Sequence, residues 1–258
     1  MSQLARVSWA LARRALRNLL RRPQFLAPLV IFPSLLLAVN VGGLHRTTEL
    51  GGFPEVNGFL DFQLAAALTQ SLLLGGISQG IAAALEIEGG FFDRLAAAPI
   101  PRVAIVIGRL IAAAAVSVAQ VAFFLILGLV FGAEIAGGAW GVVVTVAIGA
   151  VAGVAFAALG VALALRAGSA ATLQGIFPLI FVILFLSSAF FPQELLESPI
   201  DTIAAYNPLS YIADGMRGPI IDSVQAGPVL EGLAAGGGLA LVAMVLAVLA
   251  LRGKLRDA

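Results

Sequence analysis

The chain has 258 residues, 60% of them hydrophobic and 11% charged, with a mean hydropathy of +1.04, a composition far more apolar than that of soluble domains and one that belongs in a bilayer. Cysteine is absent and lysine occurs once, at Lys254, so disulfides, thiolate metal centres and thiol catalysis are excluded. The net charge of +1 gives no reason to expect a nucleic-acid partner, and the informative quantity is where the charges fall along the chain.

Residues 1–22 contain SQLARVSWALARRALRNLLRR, closed by Pro23. Plotted at about 100° per residue, five of the six arginines share a sector of roughly 100° opposite Leu4, Leu11, Leu16 and Leu19. An amphipathic helix lying on the cytoplasmic membrane surface is expected, either contacting anionic headgroups or serving only as a topology anchor.

Six apolar runs follow that are long enough to cross roughly 30 Å of hydrocarbon: Phe25 to Leu44, Phe62 to Leu85, Val103 to Phe131, Trp140 to Leu165, Leu173 to Phe191 and Leu233 to Leu251. The first is too long for a signal peptide and no small-residue cleavage site follows it. Six spans put both termini on one side, and thirteen of the fifteen basic residues then fall on that side, with only Arg46 and Arg217 opposite. The positive-inside rule therefore predicts cytoplasmic termini. Pro28 and Pro33 lie inside the first run and require neighbouring helices to satisfy the carbonyls they free.

Small residues recur at four-residue spacing inside the spans, as Gly76 and Gly80, then Gly149, Gly153 and Ala157, a pattern that lets helix backbones approach closely. The stretch GISQG at 76 to 80 also matches a nucleophile-elbow pattern, but Ser78 lies mid-span and the single histidine, His45, lies near the outer end of the first span, so hydrolase chemistry is not expected. No acid or base falls mid-span, and Asn40, Gln70, Gln79, Gln120 and Gln174 are the strongest polar groups there. Ion-coupled transport normally needs intramembrane charge. A Walker A loop is also missing, since Lys254 is followed by Leu255. The chain is therefore not expected to be an enzyme, and a transporter built on it needs energy from elsewhere.

The second and third runs are joined on the cytoplasmic side by FFDRLAAAPIPR, 91 to 102, preceded by Gly89 and Gly90 as a hinge. Phe91 to Ala98 favours a short helix, with Asp93 near its positive N-terminus and Pro99 discouraging continuation. Phe91, Leu95 and Ala98 share one face, and a helix this short must pack that face on something: membrane surface, span ends or a second protein.

EIEGGFFDRLAAAPIPR, 86 to 102, resembles the signature of ABC type-2 transporter permeases, through Glu86, Glu88, Gly90, Asp93, Arg94, Leu95, Pro99 and Arg102. Phe91 stands where that family usually has threonine, and Ile87 where it has a basic residue. The GFFDRL and PIPR elements are closer to the drug-resistance branch, similar to daunorubicin-type exporters. LSSAFFP, 186 to 192, and YNPLSYIADGMRG, 206 to 218, resemble a second element of the family through Asn207, Pro208, Asp214, Arg217 and Gly218.

The resemblance implies an all-α integral membrane fold forming one transmembrane domain over 1–258. Residues 1–22 form the amphipathic cytoplasmic helix, 25–251 a six-span bundle and 252–258 a cytoplasmic tail. A short coupling helix lies between spans two and three, and short outer-leaflet helices lie between spans five and six, where Leu195, Leu196, Ile200 and Ile203 interleave with acids. It implies a permease working as a homodimer or with a paralogue in the cytoplasmic membrane of a bacterium. Each copy would dock a separate ABC ATPase through the face of Phe91, Leu95 and Ala98. ATP and its magnesium would stay on that partner, with no cofactor or metal on this chain. The implied cargo is an apolar or amphipathic compound such as a drug, antibiotic or lipid-like molecule. Export of lipid or lipid-linked polysaccharide and a non-transporting scaffold are the alternatives, and an intramembrane enzyme would need clustered ionisable groups that the sequence does not offer.

Overall fold

The computed structural model describes residues 2–254 and is all helical, with no strand among the described residues. The final part of the expected tail, 255–258, lies outside the described residues. The helices are α1 (Gln3–Leu20), α2 (Pro23–Leu44), α3 (Phe59–Glu88), α4 (Phe91–Ala97), α5 (Val103–Val130), α6 (Gly138–Ala167), α7 (Ala170–Phe185), α8 (Ile200–Tyr206), α9 (Pro208–Ile221) and α10 (Ala226–Lys254), with 3-10 turns at His45–Glu49 and Gln193–Leu195.

Five of these, α2 (extended through Glu49), α3, α5, α6 and α10, are long and apolar enough to cross a membrane. The fifth predicted run forms only a sixteen-residue apolar helix, α7, which stops at Phe185 rather than continuing to Phe191. Its end is held from another part of the chain. Asn207 donates through its side-chain amide to the carbonyls of Ile183 and Leu186 at 2.8 and 3.0 Å, supplying the donors that further helical turns would have provided. The chain then runs through Ser187 to Phe190, all four residues buried.

α3 is the hub, packed against α2, α5, α6, α7 and α9 and buried along nearly its whole length. It meets α6 backbone to backbone. A Cβ placed at Gly76 would fall 2.5 Å from Phe156 of α6, and one at Gly80 would fall 2.7 Å from the Gly160 carbonyl oxygen. The glycine spacing read from the sequence therefore marks a helix crossing, extended further along α6 by Gly149 against Val121 of α5.

Polar groups inside the bundle pair across helices. The Ser71 hydroxyl donates to the Leu29 carbonyl at 2.6 Å, and Gln120 of α5 donates to both the Ser71 carbonyl and its hydroxyl. Leu29 is four residues before Pro33, so its carbonyl is the one left without a backbone donor by the proline. Ser71 supplies the missing hydrogen bond. Gln70, one residue away, is fully buried and has no hydrogen-bond partner among the described residues.

α1 does not simply lie on a membrane surface. Ser8, Ala12 and Leu19 are buried on one side of the helix, which runs along the first part of α5. A Cβ at Gly108 would fall 2.7 Å from Leu11 Cβ and 2.9 Å from the Ser8 carbonyl oxygen, so Gly108 is what admits the helix so closely. Trp9 and Leu20 remain exposed.

Candidate functional site at the two ends of the bundle

At the end of the bundle that carries α1 and the C-terminus of α10, the α3–α4 corner is built from the residues that stood out in the sequence. Gly89 closes α3, and Gly90, in the left-handed region at φ +66°, turns the chain into α4, a conformation that favours glycine. Ala98 ends α4 in extended geometry directly before Pro99.

Both glutamates of the motif are used within the chain. Glu86 is paired with Arg14 of α1, at 2.6 Å, and with Arg109 of α5. Its carboxylate thus ties three helices together in a part-buried position, where charge-assisted bonds outweigh neutral ones. Glu88 accepts the backbone N–H of Ala170 at 2.9 Å, capping the first turn of α7. Arg14 also places its guanidinium over the Phe91 ring, 3.5 Å from the centroid.

These contacts place the residues of the face expected for α4. Phe92, which the heptad-like reading left aside, is the buried residue, at 3% exposure, in an apolar cluster with Ile105, Val161 and Leu165. Leu95 is half-buried against the same cluster, and Phe91 is half-buried under Arg14. The outward residues are Asp93, Arg94 and Ala97, with Pro99 beyond them. The apolar stripe of α4 is therefore partly covered by the chain's own spans and by α1, with Phe91, Leu95 and Ala98 each half-buried. Arg102 is exposed at the entrance to α5.

At the opposite end, the second motif forms one buried network. Asn207 caps both α7, as described, and α9, whose Leu209 N–H donates to its side-chain oxygen at 3.0 Å, while Pro208 occupies the first turn of α9. Arg217 is 5% exposed and donates to the carbonyls of Ser188 and Ala189 at 3.1 and 2.6 Å, pairs with Asp214, and lies 4.0 Å over the Phe62 ring of α3. The Ser188 hydroxyl donates to Asp214 at 2.9 Å, and the Ser188 N–H donates to the Ser210 hydroxyl at 3.0 Å. Gln63 of α3 donates to the Phe190 carbonyl at 3.1 Å. Burial pushes the Asp214 carboxyl above the usual carboxylate range, against the opposing pull of Arg217 and the Ser188 hydroxyl. Five carbonyls of the 183–190 segment thus receive side-chain donors from Asn207, Arg217 and Gln63. Gly218 follows Arg217 inside α9 with ordinary space around it.

Sequence reasoning missed the partners Arg14, Arg109, Phe62 and Ser188. One signal was present: Arg109 is six residues inside an apolar run, and such a cation calls for a counter-charge. No group of three or more histidines, aspartates and glutamates able to hold a metal occurs among the described residues.

Between the two ends, an apolar recess of about 460 Å³ opens at α2, α3 and α7, lined by Pro28, Phe32, Leu74, Pro178 and Phe181. A second and larger cleft of about 1100 Å³ lies among α4 and the last turns of α6 and α10.

Residues 6–221 match the family of ABC-2 type transporters. The chain is also 27% identical over 210 residues to a protein of Porphyra purpurea named as a transport permease, ycf38, covering 81% of this chain and 72% of that one. With its two motif regions built as the geometry above describes, and with the family match spanning most of its length, the chain belongs to the ABC-2 type transporter family of membrane permeases.

Proposed function

We propose that this chain is the membrane half of an ATP-driven exporter that moves an apolar or amphipathic compound out across the cytoplasmic membrane, with ATP and its magnesium bound by a separate ABC ATPase. The observation that carries the reading is α4. It is held on its inner side by Phe92, Leu95 and the Arg14–Phe91 contact, and it presents Asp93, Arg94 and Ala97 outward. A short helix fixed in this way can pass force from a bound partner into α3 and α5. Its outward charges suit a polar protein surface better than lipid. In this reading Glu86, Glu88 and Gly90 position the helix, and Pro99 and Arg102 set its exit.

The cargo class is supported by the α2–α7 recess, whose lining residues carry no charge, so a sugar's hydration could not be replaced there. Both α2 and α7 leave large apolar side chains uncovered, among them Ile31, Leu35, Leu179 and Val182. A second permease copy or a paralogue closing the recess accounts for them. The six-span arrangement with cytoplasmic termini belongs to the same reading. α7 starts beside Glu88 and the segment after it ends beside Gln63, so residues 170–190 run the length of α3.

The test is reconstitution. The purified chain should hydrolyse no ATP, whereas co-expression with its cognate ATPase should give a complex whose turnover rises with amphipathic cations or apolar drugs and not with hydrophilic oligosaccharides. ATP turnover by the isolated chain that tracks its purity would refute the division of labour. Stimulation by oligosaccharide alone would move the cargo to the polysaccharide class.

A further inference from the structure

The larger cleft is bounded by α4, by the end of α6 and by the end of α10. Arg102, Arg166 and Lys254 line it, against one carboxylate, Asp93. None of these four groups has an ion pair or a hydrogen bond among the described residues. Lys254 is placed by the α6–α7 turn, since a Cβ at Gly168 would lie 3.7 Å from its ammonium nitrogen.

Cations at helix C-termini often serve the helix itself, by bonding the last carbonyls. Here α6 ends at the cleft and α10 reaches it at Lys254, yet neither Arg166 nor Lys254 donates to a carbonyl of the described residues. The charges also remain in excess. Among the described residues the lining side chains sum to +2, and the C-terminus of α6 contributes roughly half a negative charge, so positive charge stays in excess.

Toward the middle of the bundle the same cleft is walled by Leu163 of α6 and by Leu246 and Leu249 of α10, all exposed. Leu163 precedes Arg166 by one helical turn, and Leu246 and Leu249 precede Lys254 by one to two turns. The arrangement is cationic at the rim and apolar below it, the order in which a phospholipid presents headgroup and chains. Basic pockets between spans at the headgroup level attract anionic lipid.

We propose that this cleft is a binding site for one phospholipid with an anionic headgroup, in the leaflet on whose side the termini lie, with its phosphate among Arg102, Arg166 and Lys254 and an acyl chain along Leu163, Leu246 and Leu249. The site is separate from the α2–α7 recess and from the arginines of α1, and it shares Asp93, Ala97 and Arg102 with α4 and its exit, leaving Arg94 as the outward residue of α4 that does not line it. A lipid bound there would sit directly beside the helix that faces the ATPase. The inference rests on the chain spanning a bilayer and does not depend on the cargo.

Native mass spectrometry of the detergent-purified full chain, titrated with phosphatidylglycerol or phosphatidylcholine, tests it. Wild type should retain one phosphatidylglycerol in preference to phosphatidylcholine. The Arg166→Gln/Lys254→Gln pair should bind it roughly thirtyfold more weakly. Arg166→Lys should keep the affinity, and Arg13→Gln/Arg17→Gln, on the exposed side of α1, should leave the retained lipid in place. Equal affinity in wild type and the Arg166/Lys254 pair would overturn the proposal, as would loss of the lipid in the α1 pair instead. Displacement of phosphatidylglycerol by inorganic phosphate at equal concentration would make the site a free-anion site. Unchanged lipid binding with loss of the co-expressed ATPase in the Arg166/Lys254 pair would assign the cleft to the protein partner.

Discussion

The guanidinium of Arg14 lies 3.5 Å from the centroid of the Phe91 ring, so a side chain of the N-terminal helix covers the edge of α4 that the sequence alone would turn toward a partner. The same guanidinium reaches Glu86, and through Glu86 it is linked to Arg109. One residue of α1 thus touches both the end of α3 and the start of α4.

This relationship reverses the expected ranking of substitutions in α4. Leu95→Asp places a carboxylate against the chain's own apolar cluster, where an unpaired charge is costly, and should reduce the yield of folded permease. Arg94→Glu, on the exposed side and outside the cleft, should leave folding intact and abolish retention of the ATPase. Arg14→Ala should loosen α4, losing a cation–aromatic contact of about 0.5 to 2 kcal/mol. Pull-down of the ATPase per folded permease, with thermal melts alongside, decides between them. A well-folded Leu95→Asp that sheds the ATPase, beside an Arg94→Glu that keeps it, would return the docking surface to the face of Phe91, Leu95 and Ala98.

The hydrogen bond from Ser71 to the Leu29 carbonyl predicts a compensating pair. Ser71→Ala leaves that carbonyl without a donor and should cost about 0.6 to 1.7 kcal/mol in the membrane. Pro33→Ala restores a backbone N–H four residues along from Leu29, so adding Ser71→Ala to Pro33→Ala should cost much less than Ser71→Ala alone. Denaturant or steric-trapping measurements on the four proteins of the cycle provide the readout. Additivity of the two changes would show that Ser71 does not stand in for the missing N–H.

Arg217 closes the opposite end of the bundle through two carbonyls, a carboxylate and a ring. Arg217→Gln takes the donors from the Ser188 and Ala189 carbonyls and should cost about 1 to 3 kcal/mol for each one left unpaired, whereas Asp214→Asn should cost less, because that side chain is 43% exposed. Lysine cannot reproduce the fork, so Arg217→Lys should resemble the glutamine variant. Melting temperatures in a single detergent give the order. A wild-type melt for Arg217→Lys would mean that charge alone suffices.

The absence of cysteine makes topology directly measurable. Single cysteines at Ser2, Ser169 and Ser198 sit, respectively, before α1, in the α6–α7 turn and before α8. An impermeant thiol reagent applied to intact cells should label only position 198. Labelling of position 2 or 169 would invert the proposed orientation.

Much of this was legible from composition and periodicity. The ends of five long helices fall within a few residues of their apolar runs, except at α10, which begins seven residues early at Ala226. α4 starts at Phe91 and ends one residue short of the expected Ala98, because Gly90 and Pro99 dictate local backbone geometry. The outward face of α4 was not legible: Phe91, Leu95 and Ala98 announce an apolar stripe, but the surface that covers it lies in α1 and in spans distant in sequence. Glu86 and Arg14 are 72 residues apart, and Glu88 and Ala170 are 82 apart. Likewise the need for a donor to the carbonyls near Pro33 could be read locally, while the identity of Ser71 as that donor could not. The shortening of α7 depends on Asn207, which lies in another element altogether.

The glycine contact between α3 and α6 fixes a register. Sliding α3 along α6 by one turn, about 5.4 Å, would put Leu72 or Ala84 where Gly76 or Gly80 now meets the α6 backbone, and neither position has room for even a Cβ. The crossing therefore bars an axial slip of one helix past the other. A pair locked in this way is a fixed frame for the lightly buried α2 and for α7, which makes few contacts with α6, and crosslinks between α3 and α6 should leave turnover untouched where crosslinks to α7 arrest it.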